Sequence, residues 1–324
     1  TSFEDAVRMA ADWLRVVVLD YLMRDEEPPS GGIGNDRDSL VGQLTNDGIE
    51  GPLADLGERC RQIQGGHSGA VVEGLIANGR ITPAGVEALE PYRVKRAIFL
   101  AAGFGSRMVP LTFNTPKPLV RVHGTRMIDT LLDAVVAAGI PEVIIVRGYL
   151  GEQFDQLLYK YPMIKFMENP IYNEANNISS ALVARYLMQN AYVLEADLVL
   201  SNPKLIRKYE YSSNFMGIPV EVSDDWCLFT DKNGIVIKQA VGGTNCHQMV
   251  GISYWDAEAG TKLANDLEEV FRSPGGKERY WEQVPMHYKK ENYKISIREC
   301  TASDIVEIDS YKELKQIDPL YADK

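Results

Sequence analysis

Apolar side chains recur at helical spacing near the start of the chain. Val7, Ala10, Ala11, Leu14, Val17, Val18 and Tyr21 share one helical face, which predicts an amphipathic helix over 4–22. The charged, Pro- and Gly-rich run Asp25-Glu26-Glu27-Pro28-Pro29-Ser30-Gly31-Gly32 then reads as a linker. Three short helical signals follow: Pro52 at a first helical position, Ser68 as the cap of a helix stopped near Gly79, and Thr82-Pro83 opening another through Leu89. Beyond Val94 the pattern changes to apolar runs of strand length alternating with helical periodicity. Strands are predicted over 95–102, 142–146, 164–168 and 191–195, and helices over 127–138, 151–160 and 178–189. Shorter strands are expected over 235–239, 250–254 and 293–300. Strands and helices alternating at this spacing predict an α/β fold, a mostly parallel twisted sheet with helices on both faces. The expected organisation is a helix and linker over 1–40, a small helical, winged-helix-like module over 41–92, and the α/β domain over 93–324.

Charge narrows the partners. The 324 residues carry a net charge of -11, and sixteen acids against seven bases fall within residues 1–92. The larger part of the chain is therefore nearly balanced and can hold anions, whereas a protein that tracks a nucleic-acid backbone needs a basic surplus. No nucleic-acid partner is expected. The four cysteines (Cys60, Cys227, Cys246, Cys300) show no C-x-x-C pair and read as free thiols of a reducing cytosol. Cys246-His247 is adjacent rather than spaced as zinc ligands are. No apolar run reaches the roughly 18–20 residues that span a bilayer, and the first residues lack a basic segment followed by an apolar one. A cytoplasmic protein without membrane contact is expected.

The chemistry concentrates in Leu100-Ala101-Ala102-Gly103-Phe104-Gly105-Ser106-Arg107-Met108-Val109-Pro110-Leu111-Thr112, followed by Thr115-Pro116-Lys117-Pro118-Leu119-Val120. A buried strand runs into a Gly-containing turn whose backbone N–H groups can approach a polyanion, and Arg107 and Lys117 bring two cations to the same rim. A dinucleotide fingerprint fails, because Met108 stands where the third Gly is required. No G-x-x-x-x-G-K-[ST] occurs, which excludes a P-loop NTPase. The four histidines (His67, His123, His247, His287) form no partner pattern, and no Ser-His-Asp order suggests covalent catalysis.

These residues resemble the opening motif of the nucleotidyltransferase family, which joins a nucleoside triphosphate to a phosphorylated small molecule. Farther along, Gly148-Tyr149-Leu150-Gly151-Glu152-Gln153-Phe154, Asn176-Asn177-Ile178-Ser179-Ser180, Glu195-Ala196-Asp197, Gly251-Ile252-Ser253-Tyr254-Trp255-Asp256 and Glu307-Ile308-Asp309 resemble its bacterial CTP:phosphocholine cytidylyltransferase branch. The likeness covers 93–324; residues 1–92 lie outside it.

The resemblance implies the site. The loop Ala101, Ala102, Gly103, Phe104, Gly105 and Ser106, with Arg107 and Lys117 as catalytic cations, would hold the CTP phosphates. Asn177, Ser179, Ser180 and Glu195 would face the nucleotide. Asp197 and Asp309 would hold Mg²⁺. The Asn176–Ser180 group equally reads as a helix cap, and Asp309, followed by Ser310 and Glu313, equally as a helix N-terminus. A quaternary ammonium needs aromatic faces and nearby carboxylates, and three aromatic–acid groups offer them: Asp225-Trp226, Tyr254-Trp255-Asp256 and Tyr280-Trp281-Glu282. The expected reaction is CTP plus phosphocholine giving CDP-choline and pyrophosphate. A 2-aminoethylphosphonate acceptor is the nearest alternative, and a nucleotide-sugar pyrophosphorylase is third. A nucleotide-sensing or DNA-binding regulator is the alternative from another class; only Arg59, Arg61 and Arg80 against seven acids within 41–92 argue against DNA. Residues 1–92 read instead as a docking element through which a homodimer can form.

Overall fold

In a computed structural model the described residues are 90–322 and two short strands before them, β1 (Ile76–Ala77) and β2 (Arg80–Ile81). The chain divides into two units, Thr1–Arg93 and Val94–Lys324. In the first unit β1 and β2 pair antiparallel, with Ala77 opposite Arg80. This corrects the helix expected to run to Gly79: Ile76 lies opposite Ile81, a β-branched cross-strand pair that favours extended backbone. The predicted helix over 4–22, the linker, the other short helices and the docking role of 1–92 lie outside the described residues.

The second unit follows the predicted alternation. Its elements are β3 (Arg96–Ala101), the hairpin β4 (Arg121–Val122) and β5 (Thr125–Arg126), α1 (Met127–Ala137), β6 (Glu142–Arg147), β7 (Ile164–Glu168), α2 (Ile178–Ala184), β8 (Ala191–Glu195) and β9 (Leu198–Leu200). Two long strands follow, β10 (Asn214–Thr230) and β11 (Val236–Trp255), then α3 (Ala257–Arg272), β12 (Ser296–Glu299), β13 (Ile305–Glu307) and α4 (Tyr311–Ile317). The seven-stranded sheet has the order β12-β10-β11-β8-β3-β6-β7. Strands β8, β3, β6 and β7 are mutually parallel, and only β11 runs against its neighbours.

Alternation along the central strands builds a core on each face. Ala97 and Phe99, Val143 and Ile145, and Tyr192 and Leu194 pack against α1 on one side. Ile98, Ile144 and Val193 pack with α2 and α3 on the other. A third cluster, with Met108, Val120, Met127, Ile308 and Leu314, supports the loops after β3 from beneath.

Several elements depart from expectation. The segment predicted as a helix over 151–160 is a 3₁₀ helix, Gly151–Tyr159, and α2 ends at Ala184 in a 3₁₀ turn. The strands expected at 235–239 and 250–254 are parts of one strand of 20 residues, and α3 was not anticipated. Helix α3 does carry a buried stripe, Gly260, Leu263, Ala264, Leu267 and Val270, at 3–4 spacing. Beyond the sheet, β10 and β11 continue as a ribbon that reaches the carboxyl end of β8. Two residues of β10, Asp224 and Asp225, oppose the single Gly242 (φ 73°) between the pairs Ser223–Gly243 and Trp226–Val241. This bulge re-aims Asp225 and Trp226. No helix among the described residues is long and apolar enough to cross a membrane.

Candidate active site

The site lies at the carboxyl ends of β3 and β8, where open α/β sheets place ligands. Strand β3 ends at Ala101, and the loop turns through Gly105 at φ 67°. A side chain there would be strained, and its Cβ would lie 2.9 Å from Cβ of Lys117. The Gly105 carbonyl accepts a 3.0 Å hydrogen bond from the buried Thr112 hydroxyl. Gly103 is exposed with nothing within 4 Å of a Cβ position, so the loop presents open backbone there. Phe104 stacks edge-on against Tyr149 at 4.6 Å, and the Tyr149 hydroxyl donates to the Thr112 carbonyl at 2.8 Å.

Lys117 opens a 3₁₀ turn and is buried. Its Nζ donates to Asp197 Oδ2 at 2.7 Å and to Asp309 Oδ1 at 3.0 Å. Burial works against the ammonium, but the charges of Asp197 and Asp309 outweigh it and hold the Lys117 pKa above its ordinary value. Arg107 is exposed and donates to the same Asp309 Oδ1 at 2.6 Å. Asp309 directly precedes α4, whose capping box is Ser310 with Glu313. The helix-terminus reading of this segment is therefore observed, and Asp309 also accepts from both cations.

Three carboxylates gather beside the lysine. Glu195, Asp197 and Glu307 each offer an oxygen within 4.8 Å of the others. Asp309 stands apart from this group, across Lys117. Burial pushes Glu307 up to about 9, with Asp197 and Asp309 adding to the rise. Burial also raises Glu195 well above the carboxylate range, followed by the charge of Glu282. The Asp197 Oδ1 atom is buried without a hydrogen-bond partner among the described residues. A set of hard oxygen donors with an unsatisfied buried member suits a divalent cation such as Mg²⁺. In sequence, Glu307 is one member of the run Glu307-Ile308-Asp309 with no role of its own. The signal was present: alternation along Glu307-Ile308-Asp309 sends Ile308 into the core and leaves both acids on the other side.

Asn177 links the expected nucleotide segment to this group. Its Nδ2 donates to Glu195 Oε1 and Glu282 Oε1, each at 3.3 Å, while its Oδ1 accepts from the Trp281 N–H at 2.9 Å. Burial raises Glu282, which was expected as the acid of an aromatic–acid group and lies instead buried beside Asn177 and Glu195. Ser179 and Ser180 are buried, and both hydroxyls accept from Asn169 Nδ2, so they brace the loop after β7.

The aromatic–acid groups separate. Trp226 and Tyr280 meet edge-on, with ring centroids 5.7 Å apart. Asp225 is exposed beside them, accepting from the Trp226 N–H at 2.7 Å and from Gln248 at 3.2 Å, and its charge bears on Glu307. Tyr254, Trp255 and Asp256 do not belong here, contrary to expectation. Tyr254 and Trp255 are buried and pair with Tyr192 and Ala191 at the opposite end of β8, and Asp256 caps α3. Trp281 is core as well, packed on Phe215 and Trp255.

Residues 96–215 match the Nucleotidyl transferase family. A 2-aminoethylphosphonate cytidylyltransferase from Lancefieldella rimae is 37% identical over 232 residues, covering 69% of this chain and 92% of the relative. The chain belongs to the nucleotidyltransferase family. A choline-phosphate cytidylyltransferase from Haemophilus influenzae is 33% identical over 68% of this chain and 95% of its own length. The solved structure of the CTP:phosphocholine cytidylyltransferase from Streptococcus pneumoniae superposes with a TM-score of 0.64, at 30% identity, over 70% of this chain and 99% of that one. This nucleotidyltransferase therefore sits in the choline-phosphate cytidylyltransferase branch and is an enzyme of the cytidylyltransferase type.

Proposed function

We propose that this enzyme transfers the cytidylyl group of CTP to 2-aminoethylphosphonate, releasing pyrophosphate. A phosphonate oxygen of the acceptor attacks the α-phosphorus of CTP in line. The bond from that phosphorus to the oxygen bridging the α- and β-phosphates breaks, and the electron pair leaves with pyrophosphate. The attacking oxygen is anionic at neutral pH, so no side-chain base is required; the work is positioning and charge stabilisation. Lys117 and Arg107 would stabilise the charge that develops on the leaving group, and the open backbone around Gly103 would admit the phosphates. Mg²⁺ fits the carboxylates of Glu195, Asp197 and Glu307, and when bound it supplies further neutralisation of phosphate charge.

The arrangement at the acceptor end carries the choice of acceptor. Of the three aromatic–acid groups only Trp226 and Tyr280 remain outside the core, and they touch each other edge-on rather than facing across a gap. Two rings meeting edge-on offer at most two walls, fewer than the aromatic cage that encloses a trimethylammonium group. Around it stand carboxylates, with Asp225 exposed at the rim. A primary ammonium has three N–H donors that each need an oxygen, and this site is rich in them. The similarity to the Lancefieldella rimae enzyme supports the same reading. This reading puts 2-aminoethylphosphonate ahead of phosphocholine, the acceptor expected first from the sequence.

Two variants test it. Asp225→Asn keeps the shape and can still accept from the Trp226 N–H, yet removes the charge. With 2-aminoethylphosphonate it should lower kcat/KM by about tenfold, the scale of one charge-assisted hydrogen bond. Trp226→Ala should cost only a few-fold, the scale of a partly exposed cation–π contact. The opposite order, with the ring change dominant, would favour phosphocholine.

A further inference from the structure

We propose that the nucleotidyltransferase unit carries a second anion site, for a diphosphate group, in the cleft behind the turn that holds Lys117. The cleft encloses about 330 Å³, and Arg121, Arg126, Thr115, Gln153, Gln156 and Tyr321 supply its polar lining over a floor that includes Leu119 and Val120. No acidic side chain lines it, although the chain as a whole has a net charge of -11.

The two arginines are brought together by the fold. Strands β4 and β5 pair Arg121 directly opposite Arg126, and like charges in that position are unfavourable without a counter-charge. Arg126 is partly compensated: its Nε donates to Asp129 at 2.9 Å and its Nη1 to Gln156 at 3.1 Å. Arg121 donates to the Gly124 carbonyl at 2.5 Å, and no carboxylate among the described residues forms an ion pair with it. Its guanidinium is exposed at the edge of the cleft. The Gln153, Gln156 and Tyr321 side chains already donate to the Asn114, Gln153 and Arg121 carbonyls and so set the wall of the cleft, which leaves the two guanidiniums and the Thr115 hydroxyl as the groups suited to phosphoryl oxygens.

The position gives such a site a use. Leu119 and Val120 belong to the short turn opened by Lys117, and the Leu119 and Val120 N–H groups close that turn on Pro116 and Lys117. An anion on the Arg121 side therefore touches the segment that sets the Lys117 ammonium between Asp197 and Asp309. Pyrophosphate is the anion the reaction itself releases, so the site is placed to sense product.

The test is calorimetric titration of inorganic pyrophosphate into the full chain, with the catalytic site filled by a non-cleavable α,β-methylene analogue of CTP. The wild-type protein should take up one further equivalent, and Arg121→Gln should weaken that binding by about tenfold or more. Arg121 touches none of the catalytic groups, so Arg121→Gln should keep wild-type CTP turnover when pyrophosphate is removed as it forms, which also verifies the fold. Absence of the further equivalent in the wild-type protein, or undiminished binding to the Arg121→Gln variant, would overturn the proposal. Because the readout is binding with no acceptor present, it stands or falls separately from the identity of the acceptor.

Discussion

At the residue scale, Lys117 is the group on which the site turns. It is the buried cation between Asp197 and Asp309, and its raised pKa keeps it charged through neutral pH. Lys117→Ala should lower kcat by roughly 10²–10³, the scale of one preorganised charge-stabilising group. Arg107 is exposed and works against solvent, so Arg107→Ala should cost about tenfold. Steady-state turnover with saturating CTP measures both, and equal losses would contradict the assigned difference in environment. The turn after β3 and its contact with Lys117 were legible in the sequence because Gly-x-Gly, Arg107 and Lys117 lie at short spacing. The surroundings of the aromatic–acid groups were not. Trp226 and Trp255 read alike in sequence, each beside an acid, and only strand register shows that one lies by the carboxylates and the other at the far end of β8. The neighbours of Glu282 were hidden for the same reason, since Glu195 and Asn177 are 87 and 105 residues away.

At the scale of elements, the loop after β3 uses its two glycines differently. Gly105 has positive φ and lies against Lys117, whereas Gly103 faces open space. Gly105→Ala should destabilise by about 1–2 kcal/mol from the left-handed backbone alone, lowering Tm by about 2–4 °C per kcal/mol for a unit of this size. Gly103→Ala should leave Tm unchanged yet weaken CTP binding, because the added methyl group occupies ligand space. Thermal melts beside CTP titrations separate the two, and a matching Tm loss in both variants would contradict this division. The alternating strands β3, β6, β7 and β8 were legible because each is a short apolar run bounded by turn residues. The ribbon of β10 and β11 was not, because its outer half is polar and exposed and lacks a continuous apolar signal. Its length comes from pairing, and pairing is not local.

At the scale of the whole molecule, an acidic chain has concentrated carboxylates in one place and holds them there at a cost. Burial raises Glu307 to about 9 and Glu195 well above its ordinary 4.5, so the metal-free fold binds more protons than the unfolded chain across that window. Stability then falls as pH rises from about 4.5 to 9, the sign required when the native state holds the extra protons. Mg²⁺ should offset the loss, raising Tm more at pH 8 than at pH 5, and Glu307→Gln should flatten the metal-free pH dependence. Melts of metal-stripped protein with and without Mg²⁺ check this, and a Tm that climbs with pH in the absence of metal would contradict it. The acceptor is where sequence, geometry and kinship meet, and one reaction decides it. Equal concentrations of 2-aminoethylphosphonate and phosphocholine compete for CTP with the wild-type enzyme, and phosphorus NMR follows both products in the same tube. The phosphonate product should accumulate faster by about tenfold or more, as expected where a hydrogen-bonding site rejects a ligand that lacks the donors. Faster formation of CDP-choline would contradict the account.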